Sequence, residues 1–413
     1  MARVLFVDDE PHMLAGLRRT LLTQHRVRGG TGDPATPDLE YAFAGSGTEA
    51  LEAMAAEPAD VIVSDMRMPG MDGATLLGHV QRRWPACLRI VLSGDADRAS
   101  VLSAVSTAQQ FLAKPCDAAT LLRVIDRALD VRSTLTAPGL RELIGGTGTL
   151  PTLPDVYDRL VAAIDSPDVP LADVARILAQ DVATSADVLR LVNSAFFGMP
   201  QEVSRVQTAV ALLGADNIQA LVLAGSVFQV DDDLATVLGG ELAGPRLRDH
   251  GLRRAALSRR LARAEGWDEK VVDQVGLAGM LHDVGLLVLA RGRRAETATL
   301  VASLAVDPEA ALDPVRRCAL EAEAFGCTVP QAGAYLLGLW GFAPAVVFSL
   351  AAQPKPTTPR DQVVDFAHRR TLAPTRRVAV DDVPPLDATQ VERWNRVCDE
   401  FLGAGETLDE AAS

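Results

Sequence analysis

Residues 61–73 read VIVSDMRMPGMDG, and this stretch decides the fold of the N-terminal third of the chain. A short apolar run, Val61–Ser64, is followed at once by the carboxyl group of Asp65. Short apolar runs of this kind are typical of strands that are buried on both faces of a sheet. The stretch therefore predicts a core strand with an acidic side chain at its carboxyl end.

Four further strand candidates flank this run, and stretches with helical spacing of apolar residues separate them. The candidates are Val4–Val7, Tyr41–Ala44, Ile90–Leu92 and Phe111–Ala113. Ser46 and Glu49 predict a capping box at the start of one intervening helix. Buried strands that alternate with helices imply a doubly wound parallel sheet with right-handed crossovers. We expect this α/β domain to span residues 1–132, with an exposed Gly/Pro-rich loop at 28–37.

The ends of the predicted strands carry groups suited to phosphoryl chemistry: Asp8 and Asp9, Asp65, Ser93, and Lys114. The carboxyl ends of parallel strands meet at one edge of the sheet, where carboxylates would repel one another. At about 4 Å and an effective dielectric of about 20, each like-charged pair costs on the order of 4 kcal/mol. Mg²⁺ relieves such repulsion. Phosphoryl transfer also needs a nucleophile and a cation, roles that suit the Asp65 carboxylate and the Lys114 ammonium.

These residues fall within four motifs that together resemble the receiver domain of two-component response regulators. The motifs are VDDE at 7–10, SDMRMPGMDG at 64–73, VLSGD at 91–95 and FLAKP at 111–115. The resemblance implies a flavodoxin-like fold in which Asp65 is the phosphoacceptor. It also implies a Mg²⁺ site formed by Asp8, Asp9, Asp65 and the backbone carbonyl of Arg67. Ser93 and Lys114 would hold the phosphoryl group, and Phe111 would be the aromatic switch residue.

The chain beyond the receiver-like region has helical periodicity almost throughout, so we expect an all-α second domain. Four stretches, at 150–160, 180–198, 209–224 and 279–289, resemble an HDOD output domain, a relative of the HD metal-dependent phosphohydrolases. Asn193 and Ser194 match its NSA motif, and His282–Asp283 match its HD pair. We expect a linker at 133–149, the HDOD domain at 150–352 with a limit as late as 375, and a helical C-terminal extension and tail at 376–413.

Catalysis by the second domain would require more metal ligands than the HD pair alone. The histidines that the family often places later in the chain are absent from CTVPQAG (327–333) and LAAQPKP (350–356). Asp365 and His368 could substitute for them, but neither lies in a recognisable motif. We therefore expect His282 and Asp283 to be a buried, hydrogen-bonded structural pair and the domain to act without catalysis.

Composition excludes several classes of function. The formal net charge is −14, which disfavours a broad nucleic-acid footprint. The one loose match to a helix-turn-helix offers only Arg190 on its second helix, where a recognition helix needs several polar or basic groups. No apolar run reaches the length of a membrane span, and the five scattered cysteines indicate reduced thiols in the cytoplasm.

The sequence thus predicts a cytoplasmic response regulator whose Asp65 is phosphorylated by a sensor histidine kinase with Mg²⁺. The HDOD domain would signal by binding an unidentified downstream protein, and a homodimer is compatible with the sequence. The main alternative is a receiver-regulated, metal-dependent HD-type phosphohydrolase. A DNA-binding regulator is a weaker alternative.

Overall fold

The computed structural model of the 413-residue chain describes most of both predicted domains. The described residues are 2–29, 39–94, 104, 106–134, 138–147, 151–152, 159–160, 163, 170–193, 202–214, 218, 229–230, 237–238, 244–383 and 385–403. Most of the predicted 28–37 loop lies outside these residues, as do Ser194 of the NSA motif and most of the HDOD-like stretch at 150–160.

The N-terminal domain is a five-stranded parallel sheet with strand order β2-β1-β3-β4-β5. Its strands are β1 (Ala2–Val7), β2 (Leu39–Ala44), β3 (Val61–Asp65), β4 (Leu88–Gly94) and β5 (Gln110–Lys114). The helices described between and after them are α1 (Pro11–Gly29), α2 (Gly47–Ala56), α3 (Gly73–Arg83) and α4 (Ala118–Thr134). The predicted α/β fold class is confirmed.

The strand register brings the predicted functional groups to one edge of the sheet. All five residues of β3 are buried, as expected for a strand covered on both faces. Asp65 pairs with Leu92, and Ser93 pairs with Ala113, one residue before Lys114. Because neighbouring strands run parallel, their carboxyl ends reach the same edge together.

The start of α2 differs in one detail from the predicted capping box. The Ser46 hydroxyl accepts a bond from the backbone N–H of Glu49 at 3.2 Å, as predicted. The Glu49 carboxylate, however, accepts from the N–H of Gly45 at 2.6 Å, one residue before the cap. The reciprocal half of the box is therefore displaced by one residue, and the helix still begins at Gly47.

The second region is mostly helical, as predicted. Its helices are α5 (Pro138–Gly145), α6 (Leu171–Ala179), α7 (Val182–Asn193), α8 (Val206–Leu213), α9 (Gly244–Ala264), α10 (Glu269–Met280), α11 (Val284–Gly292), α12 (Arg294–Val306), α13 (Pro308–Leu312), α14 (Pro314–Phe325), α15 (Val329–Leu339), α16 (Pro344–Ala351), α17 (Pro359–Leu372) and α18 (Ala388–Gly403). A short 3₁₀ helix spans Val380–Asp382. The region is not wholly helical, because Pro151–Thr152 pairs with Gln229–Val230 as two short parallel strands.

The segment predicted as a linker contains the helix α5. Leu140 and Ile144 of this helix are buried, and Leu143 packs against Gly292 at the end of α11. On its other side, the backbone of Gly145 lies so close to the receiver that a Cβ atom there would be 2.6 Å from the carbonyl oxygen of Pro85. The helix is therefore packed between the two domains.

One helical stretch, Glu269–Gly292, is long and apolar enough by composition to cross a membrane. It comprises α10 and α11, and 89% of its most apolar window is buried inside the protein. This burial is what a core helix shows, and it does not indicate a membrane protein.

Candidate functional site

The edge formed by the strand ends contains a compact group of two acids and one amine. Lys114 Nζ lies 2.7 Å from Asp8 Oδ2 and 2.5 Å from Asp65 Oδ1. Asp8 follows β1, Asp65 ends β3 and Lys114 ends β5, so three strands place these groups together. Asp9 is less buried than Asp8. The sequence predicted that these side chains would share an edge, and the structure brings Asp8, Asp65 and Lys114 into direct contact.

Partial burial changes the pKa values of both Asp65 and Lys114. Burial raises the pKa of Asp65, while the bond from Lys114 acts in the opposite direction. Burial alone would lower the pKa of Lys114, but its bonds to Asp65 and Asp8 outweigh that effect and raise it. The amine therefore remains a cation, and it holds two carboxylates close to one another.

Ser93, unlike Asp8, Asp65 and Lys114, makes no side-chain hydrogen bond to any other described residue of the site. It is fully buried, and its hydroxyl oxygen has no hydrogen-bond partner among the residues that the structure describes. A buried polar group without a partner costs stability, and such groups are rare in folded proteins. Phe111 lies two strand positions before Ala113, the residue that pairs with Ser93, and is 1% exposed. The burial of Phe111 fits either a core residue or a switch.

The loop after β3 places the backbone around Asp65. Asp65 Oδ2 accepts from the backbone N–H of Arg67 at 3.2 Å. The loop then returns so that the N–H of Gly73 donates to the carbonyl of Met66 at 2.9 Å. A Cβ atom on Gly73 would lie 2.2 Å from the Asp65 carbonyl oxygen, so only glycine permits this close return.

The edge of the sheet that carries Asp8 and Asp65, here called the acidic edge, supplies some of the oxygen ligands that a magnesium site needs. Asp8 and Asp65 are near enough to contact one amine, and Mg²⁺ is usually held by one or two carboxylates with water and phosphate oxygens. Within the described ranges, no group of three or more His, Cys, Asp or Glu side chains is arranged to hold a metal ion. The donor set thus suits Mg²⁺ through its two carboxylates, with further ligands needed to complete it.

The HD-like pair lies in the core of the second domain, bonded to arginines. His282 Nδ1 lies 3.1 Å from Asp283 Oδ1, and both residues are buried. Arg254 on α9 donates to Asp283 Oδ2 at 2.8 Å, and Arg317 on α14 lies 3.6 Å from Oδ1. These cations hold the pKa of Asp283 well below its usual value, although burial acts against them. Guanidinium groups thus neutralise this carboxylate.

His368 also lies at this pair, although its sequence context carried no recognisable motif. Its ring stacks on that of His282, with the centroids 4.1 Å apart. Burial, together with the nearby Arg254 cation, lowers the pKa of His282 to about 4, and burial and His282 lower the pKa of His368 well below its usual value. Asp365, the other substitute considered from the sequence, bonds to Arg369 at 2.8 Å instead. Leu286, three residues after Asp283, is fully buried.

The NSA motif is described at its first residue only. Asn193 ends α7, and its side chain both donates to the carbonyl of Val203 and accepts from the Val203 N–H, each at 2.7 Å. This pair ties the end of α7 to the segment that enters α8. On the same helix Arg190 is 1% exposed, so its side chain is not presented to a DNA groove.

Comparison with known protein families accounts for both regions. The HDOD domain family matches residues 150–356, half of the chain, and the response regulator receiver domain family matches residues 4–126. The chain belongs to the HDOD family. Its HDOD domain follows a receiver domain, which is the architecture of a two-component response regulator, as the sequence motifs predicted.

Several curated proteins and solved structures are similar to parts of this chain. The HDOD-family chain is 35% identical over 143 residues to the hydrogenase transcriptional regulatory protein HoxA of Cupriavidus necator, covering 34% of this chain and 25% of HoxA. It spans about a quarter to a third of the curated relatives that it matches. The MmoQ response regulator of Methylococcus capsulatus is 22% identical, with a TM-score of 0.46 over 62% of this chain and 97% of that one. A receiver domain from an HD domain-containing protein of Pseudomonas fluorescens is 27% identical, with a TM-score of 0.28 over 32% of this chain and 98% of that one.

Proposed function

We propose that this response regulator accepts a phosphoryl group on Asp65 from a sensor histidine kinase in the cytoplasm and signals through a non-catalytic HDOD domain. The observation that carries the proposal is the contact of Lys114 with both Asp8 and Asp65. Ser93, on the strand next to Lys114, has a hydroxyl without a partner among the described residues. A nucleophilic carboxylate, a cation and a free hydroxyl donor are the groups that phosphoryl transfer to an aspartate uses.

In the proposed transfer, these groups act on the phosphoryl group together. An oxygen of Asp65 attacks phosphorus, an O–P bond forms, and the bond from phosphorus to the donor nitrogen breaks. Lys114 moves from the carboxylates to an equatorial phosphoryl oxygen, and the Ser93 hydroxyl donates to another. Mg²⁺, held by Asp8, Asp9, Asp65 and the backbone carbonyl of Arg67, would supply charge neutralisation during the transfer.

The non-catalytic role of the second domain is supported by the surroundings of the HD-like pair. Arg254 and Arg317 are both buried beside Asp283 and supply the positive charge that a metal ion would otherwise supply. A hydrolytic metal site needs an open coordination position and an activated water, whereas His282 and Asp283 are 3% and 6% exposed. Output through protein binding is the function that these contacts support.

A metal-dependent phosphohydrolase is the second candidate, and one observation favours it. His282 Nε2 and His368 Nδ1 are buried, and within the described part of the chain neither atom has a hydrogen-bond partner, although the two rings are stacked. Metal analysis of the purified full-length chain separates the two candidates. Iron, manganese or zinc near one ion per chain, with loss of that metal in His368→Phe, would establish the second candidate.

The experiment that tests the main proposal is phosphorylation of the full chain by radiolabelled acetyl phosphate. We expect stoichiometric labelling that requires Mg²⁺ and disappears in Asp65→Asn. Asp381→Asn is a suitable control because Asp381 is exposed and lies in the second region. Label that persists in Asp65→Asn, or labelling unaffected by removal of Mg²⁺ with a chelator, contradicts the assignment.

A further inference from the structure

Two strands connect the phosphoacceptor edge to the opposite side of the receiver sheet. β4 carries Ser93 near its carboxyl end and Arg89 near its start, and β5 likewise carries Lys114 at its end and Gln110 at its start. The two members of each pair are four residues apart, a span of about 13 Å along a strand. A displacement of either strand at the acidic edge therefore reaches the other end without an intervening loop.

Arg89 is an unusual residue for a buried strand. Its side chain is fully buried and donates to the carbonyl oxygens of Thr107 at 2.6 Å, Cys87 at 2.9 Å and Gly145 at 2.8 Å. Along the part of the chain that the structure describes, no carboxylate pairs with it. The Gly145 carbonyl ends helix α5, where the helix dipole is negative. Arg89 thus caps the C-terminus of the helix between the domains.

Two glutamines next to each other in the receiver extend this capping. Gln109 Nε2 donates to the same Gly145 carbonyl at 2.9 Å. Gln110 Nε2 donates at 2.8 Å to the carbonyl of Leu339, the last residue of α15 in the HDOD domain. The last carbonyls of a helix have no partner within the helix, so these side chains satisfy groups that would otherwise be buried and unpaired.

The capped helices contact the parts of the HDOD domain that carry its motifs. After α15, the ring of Trp340 lies 4.1 Å from the guanidinium of Arg190 on α7, the helix that Asn193 ends. From α5, Leu143 packs on Gly292 of α11, the helix that follows the HD-like pair. The receiver therefore contacts both motif regions through the two helices that it caps.

We propose that Arg89, Gln109 and Gln110 form an interdomain clamp that transmits phosphorylation of Asp65 to the HDOD domain. The proposal rests on the proposed phosphorylation. When Lys114 and Ser93 are drawn to the phosphoryl group, β4 and β5 shift. The side chains at their starts then release the ends of α5 and α15.

Hydrogen exchange of the full chain, followed by mass spectrometry, tests the clamp. We expect phosphorylation by acetyl phosphate with Mg²⁺ to raise exchange severalfold in peptides covering 138–147 and 336–343. In Gln110→Leu, which removes a single bond and keeps the side-chain size, exchange at 336–343 should already be raised without phosphate. Asp65 should be labelled in this variant to the same extent as in the wild type.

The control variant is Gln390→Leu, which makes the same substitution on α18 and should behave as the wild type. Labelled wild-type protein with unchanged exchange at both helix ends overturns the clamp and leaves the phosphoacceptor assignment standing. A Gln110→Leu protein whose exchange matches the wild type in both states also overturns it. Absence of labelling overturns the phosphoacceptor assignment and the clamp together.

Discussion

The imidazole rings of His282 and His368 stack with their planes inclined by 23°, at the centre of the HDOD domain. Both side chains are buried beside Arg254, so a proton on either ring would meet a positive charge in a medium of low dielectric. The stacked pair is stable only when both rings are neutral. Its contribution to folding should therefore depend on pH.

We expect the free energy of unfolding to decrease as the pH falls. An unfolded histidine titrates at about 6.5, whereas the pKa of His282 in the folded protein is about 4. A depressed folded value means that protons bind the unfolded chain more tightly, so this contribution is fully present above pH 6.5 and is lost between there and pH 4. Urea unfolding at pH 7.5 and 5.0 measures the effect. The difference in unfolding free energy between the two pH values should be smaller in His368→Phe. It should be unchanged in His79→Asn, which replaces a histidine outside this cluster.

Removal of one arginine partner of the Asp283 carboxylate should destabilise the folded protein. Arg254→Met leaves Asp283 buried with Arg317 at 3.6 Å, and breaking a buried ion pair from one side typically costs about 3–5 kcal/mol. The double variant Arg254→Met/Asp283→Leu removes both charges and should recover part of that loss. Denaturant midpoints of the single and double variants measure the difference. A single variant as stable as the wild type would contradict the assigned role of the pair.

Ser93→Ala should separate stability from phosphorylation. The hydroxyl bonds to none of the residues that the structure describes, so its removal should leave the free energy of unfolding unchanged or slightly raised. The initial rate of Mg²⁺-dependent labelling should fall roughly tenfold or more, since a hydrogen bond to a charged group is worth about 1.5–3 kcal/mol. A Ser93→Ala protein that is less stable than the wild type, with a labelling rate reduced only in proportion to the folded fraction, would indicate that Ser93 acts in packing alone.

A side chain at Gly145 should disturb the contact between the domains. A Cβ atom there would lie 2.6 Å from the Pro85 carbonyl oxygen, which is backbone and has little room to yield. We expect Gly145→Ala to increase proteolytic cleavage between the domains severalfold. Gly16→Ala is the matched control because its Cβ would have no neighbour within 4 Å, and a Gly-to-Ala change inside a helix stabilises by roughly 0.5–1 kcal/mol. Equal cleavage in the two variants would contradict the close docking.

The group of Asp8, Asp65 and Lys114 could be predicted from the sequence because the carboxyl ends of neighbouring parallel strands lie side by side at one edge of the sheet. Asp8, Asp65 and Lys114 are far apart in the chain, yet each follows or ends a short apolar run. In the helical domain, no comparable rule predicts from the sequence which side chains become neighbours. His368 reaches His282 through the packing of α17, and helical periodicity indicates which face is buried but not which helix it meets.

The clamp residues were also missed, although the sequence contains a signal for one of them. Arg89 interrupts an otherwise apolar strand, residues 88–92, and a charge in a strand buried on both faces must have partners. The identity of those partners was not accessible from the pattern. They are backbone carbonyls, and one of them belongs to a helix in the segment that composition had indicated to be a linker.

The capping of α5 by Arg89 has a consequence for dissecting this protein. A fragment ending at residue 132 would remove the Gly145 carbonyl and leave a guanidinium at the base of the sheet with one acceptor fewer. Such a truncated receiver should fold less stably than one that continues to Thr147, even though both contain the whole sheet. The connecting helix thus completes buried hydrogen bonds of the receiver, and chimaeras that exchange receivers should carry it along with the domain they transplant.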